Sequence, residues 1–152
     1  MDNLEESNYP TVSILTPTFD RKRFLPLIAR CIELQNYPME KLEWIIVNDG
    51  EEEIKDTLIE LRKTKKLPNI RYYKYDYRMK IGAKRNILNM YAKGDILINF
   101  DDDDYYPPER IYHAVDTLLK NEKILCVGVS LQYIHYKKYN RIAINPPSSN
   151  NH

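Results

Sequence analysis

The chain has 152 residues, enough for one domain of ordinary size, and its 43% hydrophobic and 30% charged content excludes a disordered or fibrous protein. Its 23 basic and 22 acidic residues leave a net charge of +1, which argues against a nucleic-acid binder that relies on bulk positive charge. No run approaches the roughly 18 apolar residues of a transmembrane segment, and the polar start carries no secretory signal. Cys31 and Cys126 lie in apolar surroundings without CxxC spacing, so we interpret them as reduced core residues of a cytoplasmic protein.

Hydrophobic patterning predicts alternating strands and helices along the chain. Short apolar runs that end in turn residues predict strands, and apolar residues at helical spacing predict helices. In chain order, the predicted elements are a strand at 12–15, a helix at 24–34, a strand at 44–47, a helix at 51–66, a strand at 70–77, a helix at 81–91, a strand at 95–100, a helix at 109–120 and further strands at 125–129, 131–136 and 141–144.

This order predicts an α/β domain with a mostly parallel sheet. We expect residues 1–10 to form an N-terminal extension, residues 11–144 to form the domain and residues 145–152 to form a flexible tail. In such sheets a ligand binds beyond the carboxyl ends of the strands. The unusual polar residues of this chain follow that rule, because they occur where predicted strands end, at 16–21, 48–50 and 101–104.

Four consecutive aspartates, Asp101 to Asp104, follow the predicted strand at 95–100. Carboxylates this close repel one another by roughly 1 kcal/mol per pair even in water, so a strand that delivers them to one place calls for a counter-ion. In an extended segment Asp101 and Asp103 would share one face, and Asp102 and Asp104 the other. Hard oxygen ligands of this kind suit Mg²⁺ or Mn²⁺. The alternative is a solvated acidic loop that precedes the helix at Glu109.

No glycine-rich phosphate loop is present, because the four glycines are widely spaced and match neither GxGxxG nor the P-loop pattern. A site for a nucleotide diphosphate would therefore need other positive charge. A divalent metal on the aspartates, helped by Arg21, Lys84 or Arg85, would supply it. The alternative for each of these three side chains is an ordinary surface charge.

Four segments together resemble family 2 glycosyltransferases of the GT-A fold. They are TVSILTPTFDR at 11–21, WIIVNDG at 44–50, GAKRN at 82–86 and GDILINFDDDD at 94–104, followed by Pro108 and Arg110. The resemblance covers about residues 10–120. It implies a Rossmann-like nucleotide-diphospho-sugar transferase fold, with a mostly parallel sheet flanked by helices and only the N-terminal, donor-binding part of the family domain.

The resemblance also implies a donor site for a nucleotide-diphosphate sugar, with a UDP-sugar expected. It assigns nucleotide-sugar binding to Thr16, Pro17, Thr18, Arg21, Asp49, Lys84, Arg85, Asp101 and Asp102. Asp49 would accept a hydrogen bond from a uracil-type base, and Arg85 would face the ribose or the diphosphate. The aspartate run matches the DXD element of the family, so Asp103, with Asp101, is the expected ligand set for Mn²⁺ or Mg²⁺.

The chain departs from the family pattern in two small ways and one large one. Asp20 stands where Asn is usual, and Asn48-Asp49-Gly50-Glu51 stands where Asp-Asp-Gly-Ser is usual. Members of the family carry the acceptor site and an acidic general base in a further C-terminal segment. We therefore expect a donor half without the acceptor half, and assign neither a catalytic base nor a glycan, protein or lipid acceptor.

Two other functional classes stay open at this point. One is a module that binds or hydrolyses sugar nucleotides without transferring the sugar. The other is a metal-dependent nucleotidyltransferase or phosphohydrolase, which is disfavoured because only Asp49 offers a second acidic strand end. His113 is expected to serve packing, and Tyr73, Tyr75 and Tyr77 are expected on a partly exposed edge strand, with stacking on a ligand as the alternative.

Overall fold

The computed structural model describes residues 9–120, 122–128 and 132–145. The chain divides into two compact units, residues 1–115 and residues 116–152. The first unit contains a parallel sheet flanked by helices, and the second contains a β-hairpin. Within the described residues, no helix is long and apolar enough to cross a membrane.

The sheet of the first unit has four parallel strands in the order β3-β2-β1-β4. These are β1 (Val12–Thr18), β2 (Leu42–Asn48), β3 (Asn69–Lys74) and β4 (Ile96–Asn99). All seven residues of β1 are buried, because this strand pairs with β2 on one side and with β4 on the other. A strand covered on both faces and at both edges is mostly apolar, and the Val12, Ile14 and Leu15 side chains are what reveal β1 in the sequence.

Four α-helices connect and follow the strands. They are α1 (Leu25–Glu33), α2 (Lys55–Thr64), α3 (Ile81–Tyr91) and α4 (Arg110–Leu119). The helix predicted at 51–66 begins only at Lys55, because the Glu53 carboxylate binds the backbone directly after it. This carboxylate accepts the backbone N–H groups of Ile54 and Lys55, each at 2.8 Å, and so occupies donors that the first turn leaves free.

The helices bury the two faces of the sheet unequally. On one face, α1, α2 and the first half of α4 cover a large cluster around Trp44, Ile14 and Phe100, all fully buried. On the other face, α3 covers a smaller cluster in which Leu88 packs against residues of β1 and β2. Burying an aliphatic or aromatic side chain of this size contributes about 1.5–3 kcal/mol, so the larger cluster dominates the stability of the sheet.

The second unit contains an antiparallel hairpin of β5 (Gln132–Tyr136) and β6 (Arg141–Asn145). Tyr133 pairs with Ile144 and Tyr136 with Arg141, and Asn140 takes a left-handed conformation (φ 46°) in the connecting turn. The two strands predicted at 131–136 and 141–144 are confirmed within the described residues. A two-stranded hairpin is marginal on its own in water.

The α/β fold with a mostly parallel sheet is confirmed, and β3 is an edge strand as predicted. However, β3 ends at Lys74, so Tyr75 and Tyr77, which were predicted on this strand, lie beyond it. Two other predictions are wrong. Residues 125–128 form no strand and Leu125 is 92% exposed, and the Cys126 side chain is exposed while that of Cys31 is buried. The run at 125–129 is apolar, but among the described residues no strand pairs with 125–128. The predicted extension and tail fall mostly at 1–8 and 146–152, outside the described residues.

Candidate functional site

The loops that follow β1, β2 and β4 meet at the carboxyl edge of the sheet, beside the start of α3. A cavity of about 430 Å³ opens there. Eight of the residues predicted to bind the nucleotide sugar or metal line it, namely Pro17, Thr18, Arg21, Lys84, Arg85, Asp101, Asp102 and Asp103. Thr16 does not line it, because its buried hydroxyl accepts a hydrogen bond from Trp44 Nε1 at 2.9 Å. The topology thus brings predicted residues from three separate segments to one place, whereas Asp49 does not line this cavity.

The aspartate run forms a turn and not the extended segment that alternation would require. The backbone N–H of Asp101 donates to the Tyr106 hydroxyl at 2.7 Å, and the Tyr106 ring stacks on Phe100 with ring centroids 3.9 Å apart. This local contact folds the chain back directly after β4. As a result, the expected sharing of faces between Asp101 and Asp103 does not describe the site: Asp101 pairs with Arg85, whereas Asp102 and Asp103 both pair with Arg21.

Asp102 is the buried anchor of the run, with its side chain only 3% exposed. One of its oxygens accepts the Thr18 hydroxyl proton at 2.6 Å, and the other accepts from Arg21 Nη1 at 3.1 Å. Arg21 Nη1 also pairs with Asp103. The hydrogen bond to Asp102, together with the negative charge of Asp102 and Asp103, outweighs desolvation and raises the pKa of Arg21, so its positive charge is fixed in the site.

Arg85, in the first turns of α3, pairs with the Asp101 carboxylate. Its Nη2 lies 3.2 Å from both oxygens of Asp101, and both side chains are about two-fifths exposed. The Arg85 Nε atom is buried without a hydrogen-bond partner. An unpartnered buried donor costs free energy, so this guanidinium has capacity for a further acceptor.

Lys84 and Asp49 form a buried ion pair behind the cavity. Lys84 Nζ donates to Asp49 Oδ1 at 2.6 Å and to the Thr18 carbonyl at 3.1 Å, and Asp49 Oδ2 accepts the Met79 N–H at 2.6 Å. The Lys84 side chain is 7% exposed and that of Asp49 is fully buried. The pair ties α3 to the ends of β1 and β2, and its charges neutralise each other.

A second cavity of about 600 Å³ lies beside the first. It shares Phe19 and Arg78 with the first cavity and reaches Asp49, Lys74 and Tyr75. The Arg78 guanidinium lies 4.5 Å from the centroid of the Phe19 ring. Sequence reasoning missed both residues. The position of Phe19, directly after the polar end of β1, could have identified it, whereas no pattern marks Arg78.

The carboxylates of the run differ in their suitability for a metal ion. Within the described residues, no group of three or more His, Cys, Asp or Glu side chains is arranged to hold a metal. Asp101 and Asp103 are partly exposed and line the first cavity. Burial, followed by the charges of its three acidic neighbours, raises the pKa of Asp104. A donor set of one or two hard carboxylates fits Mg²⁺ or Mn²⁺ whose remaining ligands are phosphate oxygens and water.

The sequence matches the family model described as Glycosyl transferase family 2 over residues 13–150. It is 31% identical over 121 residues to a chondroitin synthase of Pasteurella multocida (strain Pm70), a match that covers 77% of this chain and 12% of that protein. It is also 31% identical over 126 residues to a dolichyl N-acetyl-alpha-D-glucosaminyl phosphate 3-beta-D-2,3-diacetamido-2,3-dideoxy-beta-D-glucuronosyltransferase of Methanococcus voltae, covering 78% of this chain and 37% of that protein. The chain spans well under half the length of these relatives.

Solved structures show the same fold. The mannosyltransferase PcManGT from Pyrobaculum calidifontis, in complex with GDP-Man and Mn²⁺, matches with a TM-score of 0.70 at 22% identity, over 90% of this chain and 39% of that one. S. aureus TarS 1-349 in complex with UDP-GlcNAc matches with a TM-score of 0.64 at 18% identity, over 81% of this chain and 39% of that one. The parallel sheet and its helices are therefore those of GT-A glycosyltransferases. The chain belongs to glycosyl transferase family 2.

Proposed function

We propose that residues 11–144 form the donor-binding domain of an inverting glycosyltransferase that takes a nucleotide-diphosphate sugar, specifically a UDP-sugar, with Mn²⁺ or Mg²⁺. The observation that carries the proposal is the 430 Å³ cavity in which three carboxylates and three arginines from separate segments meet. Asp101 and Asp103 would hold the metal ion. When bound, that ion would neutralise the charge that develops on the departing diphosphate.

The second cavity is the proposed site of the nucleobase. Phe19 offers a ring on which a planar base can stack, and it connects this cavity to the phosphate side of the site. Asp49 lines the same cavity and would accept the imide N–H of uracil. Its two oxygens already have one protein donor each, but a carboxylate oxygen can accept more than one hydrogen bond.

The proposed reaction joins an acceptor hydroxyl oxygen to the anomeric carbon and breaks the bond from that carbon to the diphosphate. Arg21 and Arg85 would orient the diphosphate, and a general base would take the acceptor proton. Among the described residues after Pro108 the acids are Glu109, Asp116 and Glu122, and none of them lines either cavity. We therefore propose that these 152 residues bind the donor but transfer the sugar slowly or not at all without an added acceptor half.

Nucleotide selectivity tests the proposal. Calorimetry with UDP, GDP, CDP and ATP, each with and without Mn²⁺, should give the tightest binding for UDP with Mn²⁺. Asp49→Asn should reduce the preference for UDP over CDP, whereas Asp56→Asn, an exposed site on α2, should not. A preference for ATP would support a nucleotidyltransferase instead, and equal losses for UDP and CDP in Asp49→Asn would show that Asp49 does not read the base.

A second measurement addresses transfer. The chain is incubated with UDP-sugars, Mn²⁺ and a panel of acceptors, while UDP release and glycosylated product are followed separately. Slow UDP release without product is the expected result and corresponds to hydrolysis of the donor. Robust product that depends on the acceptor would overturn the proposal that these residues lack the acceptor half.

A further inference from the structure

Both carboxylates assigned to the metal already have a positive partner in the structure. Arg21 pairs with Asp103, and Arg85 lies 3.2 Å from both oxygens of Asp101. Each of these four side chains is about two-fifths exposed, at 39% to 44%. The guanidinium groups therefore occupy the positions at which a divalent ion would neutralise the aspartates.

The pairing of Asp102 is different. Its side chain is almost fully buried and is held on both oxygens, by the Thr18 hydroxyl and by Arg21. Breaking these bonds would leave a buried charge without partners, which is strongly unfavourable. Partly exposed pairs, in contrast, contribute little stability, because water can replace either partner. Asp102 is thus a fixed anchor, and the contacts of Asp101 and Asp103 are the ones that can exchange.

Resting on the proposed donor site, we propose that Arg21 and Arg85 act as exchangeable counter-ions. In the ligand-free protein they neutralise Asp103 and Asp101. When the metal and the nucleotide diphosphate bind together, the two guanidinium groups leave these carboxylates and donate to the diphosphate. Arg21 stays attached to Asp102 during the exchange, and the unpartnered Nε of Arg85 supplies a further donor.

Charge balance makes this exchange cooperative. Three carboxylates and the three guanidinium groups of Arg21, Arg78 and Arg85 line the cavity, and Lys84 is paired with Asp49, so the charges balance and neither a lone cation nor a lone diphosphate meets a strong opposite charge. A metal that binds alone must displace an arginine into water. A diphosphate that binds alone must compete with the carboxylates for the same arginines. Only the pair of ligands gives every displaced group a new partner, so each ligand should strengthen the binding of the other by the same factor.

The test measures Mn²⁺ affinity by the electron paramagnetic resonance signal of free Mn²⁺, with and without UDP. Arg21→Gln should bind Mn²⁺ alone about three- to tenfold more tightly than the wild type, since it removes the partly exposed contact with Asp103. The substitution also removes one of the two partners of Asp102, which keeps its hydrogen bond from the Thr18 hydroxyl. The enhancement of Mn²⁺ affinity by UDP should fall by a similar factor. Arg85→Gln should do the same independently. Arg21→Lys, which keeps the charge without the forked donors, should give an intermediate enhancement.

Arg23→Gln is the matched control, because it removes the same charge two residues away, where the Arg23 guanidinium lies over the Phe24 ring and outside the cavity. If Arg21→Gln and Arg85→Gln bind Mn²⁺ no better than Arg23→Gln while UDP still enhances Mn²⁺ binding, the exchange is overturned and the donor site stands. If UDP binding is independent of Mn²⁺ in the wild type, the proposed metal-assisted donor site itself is overturned. Unfolding curves of each variant identify any that fail to fold.

Discussion

Ionic networks lie at both ends of the parallel sheet, but only the network at the carboxyl end borders either of the two cavities. At the amino end, Glu43 accepts hydrogen bonds from Ser13 Oγ at 2.6 Å, the Lys93 N–H at 2.7 Å and Arg71 Nη1 at 3.0 Å. Arg71 also donates to the Tyr91 carbonyl and to the Tyr73 hydroxyl. None of these residues lines either cavity. These contacts join β1, β2 and β3 to the end of α3, so this network holds the strands together.

At the carboxyl end the ionic groups are only partly satisfied by the protein. Lys84 and Asp49 form a buried pair, but Arg21, Arg85, Asp101 and Asp103 stay partly exposed at a cavity. Paired charge alone therefore does not identify a binding site. The carboxyl end differs because it can still bind a ligand. It has an open cavity, partly exposed carboxylates and the buried Arg85 Nε donor without a partner.

Removing the buried cation at the carboxyl end should have the largest effect on stability. Lys84→Met leaves the fully buried Asp49 carboxylate without its ion pair, so we expect a loss of about 3–5 kcal/mol in the free energy of unfolding. Urea denaturation measures it. Lys63→Met breaks a pair whose two side chains are more than three-fifths exposed and should change stability by about 0.5 kcal/mol or less. Equal losses in the two variants would contradict the structural role of Lys84.

Glu43→Gln tests the amino end and should cost about 1.5–3 kcal/mol at neutral pH, without changing UDP affinity. Burial alone would raise the pKa of Glu43, but hydrogen bonds from Ser13, Lys93 N–H and Arg71 hold it below its usual 4.5. A depressed pKa contributes stability above pH 4.5 that is lost as the pH falls through the folded-state value. The difference between wild type and Glu43→Gln should therefore shrink below pH 4.5. A constant difference across an acid titration of unfolding would exclude this explanation.

Asp103→Asn should separate binding from stability at the carboxyl end. Loss of one charged ligand should weaken Mn²⁺ binding in the presence of UDP about tenfold, while the free energy of unfolding changes by about 0.5 kcal/mol because the side chain is partly exposed. Asp104→Asn removes the adjacent charge, and Asp104 does not line the cavity. Calorimetry of both variants should show the loss only for Asp103. A large drop in stability for Asp103→Asn would mean that this residue is structural.

The smallest effect is expected at Asp20, which stands where the family usually has Asn. Asp20 has a left-handed backbone (φ 49°), and its Oδ1 accepts the Glu52 N–H at 3.0 Å. Asn tolerates this conformation and keeps the acceptor, so Asp20→Asn should alter stability by about 0.5 kcal/mol or less. Asp20→Ala lacks the acceptor and should cost about 1–2 kcal/mol. Thermal unfolding that ranks the two variants in the opposite order would refute this reading.

The sequence predicted the fold well because β1 and β2 contain short apolar runs, at 12–15 and 44–47, and the helices have periodic apolar faces. It also predicted which loops lie together, since the carboxyl ends of parallel strands must meet at one edge of the sheet. It could not predict that Lys84 is buried against Asp49, because that contact depends on how α3 docks. The turn at Asp101 was missed for a similar reason, since it depends on the hydroxyl of Tyr106 five residues later. The strand expected near Leu125 failed because an apolar run does not specify a pairing partner.

The position of β1 at the centre of the sheet has a consequence for folding kinetics. Its partner β4 is far along the chain, and the hydrogen bond between Thr18 and Asp102 joins residues 84 positions apart. Contacts of such long sequence separation carry a loop-closure cost and slow the formation of the native state. During synthesis, the pairs Arg21–Asp103 and Arg85–Asp101 can form only after residue 103 has left the ribosome. The proposed nucleotide site is therefore complete only once β4 has joined the sheet, and a nascent chain with only β1 to β3 paired would lack it.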